Sequence, residues 1–212
     1  MARILLISGH GANDSGAIAN GLTEKTMNWI TMKACSKVLQ ENGQIVIEDT
    51  ENTKVSDEII LINSTKADIS INIHYNAGGG DGFEGYYYTS NAKAKQLLEC
   101  IETEVKALGQ NSRGLKSGNH LAVIKNTTPL SVLVEGAFID SNDRFIVDTI
   151  EEQEKLGQAY ANGILKYLGI TPKEKTSSDK LYRVQVGAFS VKANAEKLAE
   201  ELKQKGYSTI IV

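Results

Sequence analysis

The sequence predicts an α/β fold, a mostly parallel mixed sheet with helices on both faces in three layers, followed by a small C-terminal βαβ half-domain. Three observations carry that prediction. Short apolar runs such as RILLIS (3–8) and SVLVEGAF (131–138) are near-continuous, as expected of strands covered on both sides. Helix-like segments alternate with them, the order that crossovers between parallel strands require. The polar stretch TPKEKTSSDK (171–180), with one of only 2 prolines, then separates a body from a short tail.

RILLIS opens the chain as a strand, and Thr23 to Gln40 follows as a helix with Thr23 at its N-cap. Asn42-Gly43 stops that helix, because both residues suit a positive φ, and QIVIED (44–49) resumes extended structure. Ser56 to Lys66 reads as a second helix. It leads into ADISINIHYNA, where Ile69, Ile71 and Ile73 alternate on one side of a core strand. After a glycine run at 78–80, FEGYYYT (83–89) reads as a strand, Ala92 to Leu108 as a helix, HLAVIK (120–125) and SVLVEGAF as strands, and Asp148 to Leu168 as the closing helix. Trp29 and the Tyr86, Tyr87, Tyr88 run read as core and strand-face residues. Beyond the linker, LYRVQVGAF and YSTIIV read as strands around the helix KANAEKLAEELKQKG. A unit of 32 residues cannot bury a core alone, so it pairs with a second copy, docks on the body or self-associates.

The 212 residues suit one domain over 1–170, the linker 171–180 and a segment over 181–212. Residues 1–170 carry 15 Lys/Arg against 21 Asp/Glu and residues 171–212 carry 8 against 5, so the body is acidic and the tail weakly basic. That is not the dense basic footprint of a nucleic-acid binder, although the tail would tolerate an anionic polymer. No run of about 18 apolar residues suggests membrane insertion. MARILLISGH enters a glycine turn too soon for a secretory signal, which points to synthesis in the cytoplasm. Cys35 and Cys100 are far apart and read as reduced thiols rather than a disulfide framework.

Four stretches bring chemistry to strand ends or helix starts: ILLISGHG with His10, GLTEK with Glu24, SINIHYNA with His74 and SVLVEGAF with Glu135. In open α/β sheets functional groups gather at the carboxyl ends of strands, so these can converge. Two imidazoles and a carboxylate are the three N/O ligands of a catalytic zinc site with one position open. A further carboxylate, Glu135, would manage protons, and an unpaired acid inside so apolar a strand is otherwise costly. Asp14 and Asn13 read as loop-fixing residues, while Asn76, Gly78 to Gly80, Lys116 and His120 could line a groove. A rival reading is a phosphate- or nucleotide-binding turn in SGHGANDSG, but the chain has neither GxGxxG nor GxxxxGK[ST].

The order SGHGANDSGA, GLTEK, ISINIHYNAGGG and LVEGAFIDSND resembles the zinc-dependent N-acetylmuramoyl-L-alanine amidases of type 3, a group of autolysins and phage endolysins, over residues 1–170. The tail is similar to one repeat of the peptidoglycan-binding SPOR domain. The resemblance implies His10, Glu24 and His74 as ligands of one Zn²⁺ and Glu135 as the catalytic glutamate. It implies cleavage of the amide between the lactyl group of N-acetylmuramic acid and L-alanine, with peptidoglycan as partner and action on the wall once the membrane has failed. A catalytically silent wall-binding or regulatory protein of the same fold is the alternative. Two positions depart from the family pattern. Ala12 stands where a second glycine is usual, and Gly136 lies one place nearer to Glu135 than the usual E-x-G-F order has it.

Overall fold

The computed structural model describes residues 1–11, 13–49, 54–173, 186–187 and 191–205. The chain divides into two units, Met1–Lys173 and Glu174–Val212. In the first, a six-stranded sheet is built from β1 (Arg3–Ser8), β4 (Ile45–Asp49), β5 (Ile69–Asn76), β6 (Phe83–Tyr87), β7 (Ser112–Ser117) and β8 (Leu130–Phe138). A hairpin of β2 (Ile18–Ala19) and β3 (Leu22–Thr23) stands apart from it. Across the sheet the order is β4-β1-β5-β8-β6-β7, and every pairing is parallel except β6 with β8. The mostly parallel mixed sheet is thus present.

Its two faces are covered unequally. Helices α1 (Glu24–Glu41), α3 (Ala92–Ala107) and α5 (Ile150–Tyr167) cover one, where Ile4, Leu6, Ile71, Ile73, Val132 and Val134 meet Met32, Leu39, Leu97, Ile101, Leu156 and Ile164. Each fully buried aliphatic side chain there contributes ~1.5–3 kcal/mol relative to exposure. α5 starts on a capping box, with Thr149 accepting from the Glu152 N–H and Glu152 accepting from the Thr149 N–H. Among the described residues of this unit the opposite face carries α2 (Val55–Ser64) and α4 (Ala122–Lys125), packed through Ile62, Val123 and Ile124 onto Leu5, Ile7 and Leu133. Ser70, Asn72, His74 and Asn76 alternate with the core isoleucines of β5 and so point to this thinly covered side.

Several expectations are corrected. HLAVIK is not a strand, because Ala122–Lys125 is one helical turn whose Val123 and Ile124 face the core together, a spacing that a four-residue apolar run does not distinguish from a strand. The edge strand is instead SRGLKS, half exposed and therefore polar enough to read as a loop. Thr23 occupies the N-cap of α1 but makes no side-chain cap bond. Trp29 is exposed on α1, with the Lys33 ammonium 5.6 Å from its ring, and Tyr88 is exposed as well. Cys35 and Cys100 are free thiols. In the second unit α6 (Lys192–Gln204) meets the expected helix. The flanking strands LYRVQVGAF and YSTIIV lie outside the described residues apart from Val186 and Gly187, as do Ala12 and the linker beyond residue 173.

Candidate active site

His10 lies two residues past β1 with φ 60, a left-handed conformation that turns the chain back over the sheet. Its Nδ1 lies 2.8 Å from Asp14 Oδ2, and Asp14 Oδ1 accepts the Gly16 N–H. Asp14 therefore does fix the loop, and it also orients the imidazole so that Nε2 lies 3.0 Å from Glu24 Oε1. Glu24 is the first residue of α1 and is 4% exposed. Its Oε1 also lies 3.0 Å from His74 Nδ1, and its Oε2 accepts the Ala17 N–H. Position at a helix N-terminus further favours the carboxylate.

One donor atom from each of His10, Glu24 and His74 thus falls within 4.8 Å of the others. Two imidazole nitrogens and one carboxylate oxygen match the donor set of a borderline divalent cation, so the three residues fit a metal ion. Space is made for them by Gly9, where an added Cβ would lie 2.2 Å from His74 Cε1. The Gly9 carbonyl is pinned by the buried Asn28 amide at 2.8 Å. Burial pushes the Glu24 carboxyl up, but hydrogen bonding to His10 and His74 outweighs it and holds the group well below the usual carboxylate range. His10 is raised to about 9, chiefly by its hydrogen bond to Glu24, with burial opposing and Asp14 adding.

Glu135 sits beside this group, since β5 and β8 pair in parallel with His74 opposite Glu135. Its Oε2 is buried with no hydrogen-bond partner among the described residues. Burial raises its pKa to about 7, with His74 opposing. Just beyond, the register slips so that Asn76 pairs with Phe138, leaving an extra residue in β8. Gly136 occupies the slip, and a Cβ there would lie 2.6 Å from Leu156 Cδ2 and 2.7 Å from Tyr160 Oη. The glycine adjoining the carboxylate thereby lets α5 press against the strand that carries it.

The four residues singled out in the sequence come together. Sequence reasoning missed Glu84, which lies opposite Glu135 on β6 and extends the polar row outward. Glu84 is 3% exposed and accepts from Arg113 Nε, Lys116 Nζ, Tyr86 Oη and Asn76 Nδ2. A single acid in FEGYYY carries no signal of this, since an exposed strand glutamate reads the same. Asn76 and Lys116, read as groove residues, are bonded to Glu84. His120 is exposed edge-on to Tyr86. Gly78 and Gly79 donate their N–H groups to Asp140 Oδ2. Glu58 of α2, raised by burial, was also not anticipated.

Comparison with known proteins places the chain in a family. The sequence model of the N-acetylmuramoyl-L-alanine amidase family matches residues 4–166, and that of the SPOR domain matches residues 178–212. The sporulation-specific N-acetylmuramoyl-L-alanine amidase of Bacillus subtilis is 35% identical over 100% of this chain and 85% of its own length. The endolysin of Bacillus phage SPP1 is 31% identical over 84% of this chain and 70% of its own. Among solved structures, the catalytic domain of CwlV, an N-acetylmuramoyl-L-alanine amidase from Bacillus (Paenibacillus) polymyxa var. colistinus, superposes with TM-score 0.73 at 26% identity, covering 81% of this chain and 100% of that one. Cwp6 from Clostridium difficile superposes with TM-score 0.75 at 27% identity, covering 79% of this chain and 29% of that one.

Proposed function

The chain belongs to the N-acetylmuramoyl-L-alanine amidase family, and from that premise we propose that His10, Glu24 and His74 hold one Zn²⁺ and that Glu135 moves the protons of amide hydrolysis. The enzyme is a peptidoglycan hydrolase. The bond it cuts joins the lactyl group of N-acetylmuramic acid to the L-alanine of the stem peptide. One observation supports the assignment of roles: three metal-type donors within 4.8 Å of one another, with a half-buried carboxylate in register beside them whose Oε2 has no hydrogen-bond partner among the described residues.

The chemistry that a zinc ion supplies when bound is Lewis acidity, polarising the scissile carbonyl and bringing the pKa of water down to ~7. The remaining steps fall to the chain. Asp14 holds the proton on His10 Nδ1 and so keeps Nε2 free as a donor atom. Glu135, raised to about 7, accepts a proton from the attacking water and returns it to the leaving amine of L-alanine. Residues 1–170 act in this reading as the catalytic domain, 171–180 as a linker and 181–212 as a peptidoglycan-binding repeat, which the match over 178–212 supports.

Mass spectrometry of digested walls tests the proposal, because a new amine on L-alanine together with intact lactyl muramic acid identifies the bond. We expect Glu135→Ala to retain zinc and lose lysis, and His74→Ala to lose both. Lysis retained by the Glu135 variant would remove its proton role. A wild-type protein that binds walls without clearing them would favour the silent, wall-binding alternative.

A further inference from the structure

Beside the zinc-type site lies a second, cationic group that the hydrolysis as described does not use. Glu84, opposite Glu135 on the neighbouring strand, is buried and saturated, with two donors on each carboxylate oxygen. Two of the four donors are cations, Arg113 and Lys116 of β7, so the cluster carries one net positive charge at the rim of the sheet's thinly covered face. Arg113 is held twice. Its Nε lies 2.6 Å from Glu84 Oε1, and its guanidinium carbon lies 5.3 Å from the centre of the Phe138 ring. Among the described residues its two terminal nitrogens have no hydrogen-bond partner, although the side chain is 43% exposed.

A guanidinium fixed at Nε and stacked on a ring, with its outer edge open, is a preorganised fork for a carboxylate. Had the pair served only to neutralise Glu84, the charges would balance one to one; here a cation is left over. Position supplies the ligand. Arg113 reaches back to Glu84, one strand from Glu135, so its fork stands between one and two strand spacings from the proton shuttle, roughly 5–10 Å. A residue of extended peptide spans roughly 3.3–3.6 Å. The residue joined to L-alanine on the leaving side therefore comes within reach.

Resting on the amidase reading, we propose that Arg113, seconded by Lys116, binds a free carboxylate on the stem-peptide residue that follows L-alanine and so sets which peptide chemistry the enzyme prefers. Arg113 is then a specificity residue for the leaving peptide, and Glu84 positions it.

The test uses the zinc-loaded full chain and two muropeptides that differ at one group, a free carboxylate or its primary amide on the residue after L-alanine. KM and kcat are measured for each. Wild type should show a KM lower for the carboxylate form by roughly tenfold to a hundredfold, the worth of a hydrogen-bonded charge pair, with little difference in kcat. In Arg113→Gln the two KM values should converge, and Arg113→Lys should restore part of the gap. Equal KM values in wild type overturn the proposal whether or not Arg113→Gln folds. A gap that survives in Arg113→Gln, or an equal loss on both substrates, also overturns it and leaves Arg113 as structural support for Glu84. Cleavage of both muropeptides at the lactyl amide without discrimination removes this subsite alone. No cleavage of either at that bond removes the amidase reading as well.

Discussion

His74 and Glu135 are direct register partners on the adjacent parallel strands β5 and β8, so the sheet itself fixes the spacing between a metal-type donor and the half-buried acid. No loop intervenes between them. The same row continues to Glu84, and its members are held by main-chain ladders rather than by surface segments.

The burial of Glu135 has a thermodynamic signature in zinc-free protein. Its pKa rises from 4.5 to about 7 on folding, so the folded state holds the extra proton and stability falls as pH climbs through that window. A rise of this size amounts to ~3 kcal/mol above pH 7. Glu135→Gln should therefore stabilise the zinc-free protein at pH 8 and have almost no effect near pH 4.5. Urea unfolding at the two pH values measures it, and an increment that grows toward acid would contradict the assignment.

Asp14 is exposed yet bonded to His10 Nδ1, which makes it an orienting residue for that imidazole. Asp14→Ala should weaken zinc binding by ~10–100-fold, the usual cost of losing such a partner, with far-ultraviolet circular dichroism unchanged. Competition against a chelator of known affinity gives the number.

Gly9→Ala should fail differently. The new methyl would lie 2.2 Å from His74 Cε1, so the ring or the backbone beneath it must shift. We expect a loss of ~1–3 kcal/mol in stability from overpacking, together with loss of zinc binding. Normal zinc stoichiometry in that variant would contradict the expected displacement of the His74 ring.

Because His10 is raised to about 9, it is protonated at neutral pH in the free protein and must shed that proton to serve as a ligand. Zinc affinity should thus increase with pH up to about 9, with close to one proton released per ion at pH 7. Calorimetry in buffers of different ionisation enthalpy counts the protons. Free zinc at a thousandfold over Kd should add ~4 kcal/mol to stability, an increment that His74→Ala abolishes.

The candidate site was legible where its members, His74 and Glu135, sit in runs whose structure is overdetermined. Ile69, Ile71 and Ile73 fix the β5 face that His74 takes, and the apolar residues around Glu135 leave few reasons for an acid there. The outer edge was not legible. SRGLKS pairs on one side only, so its burial is slight and its composition polar, while the short helix at Ala122–Lys125 is too brief to reveal a period. Glu84 was invisible for a related reason, since its four partners come from β5, β6 and β7, and none of that pairing is written in local sequence.

The placement of β8 carries a last consequence. It lies inside the sheet, laddered to β5 on one flank and to β6 on the other, so Glu135 rides on backbone that opens only when the whole domain does. Heating should then leave Glu135 and His74 in register up to global melting, with no temperature interval in which the domain is folded but that pair already separated.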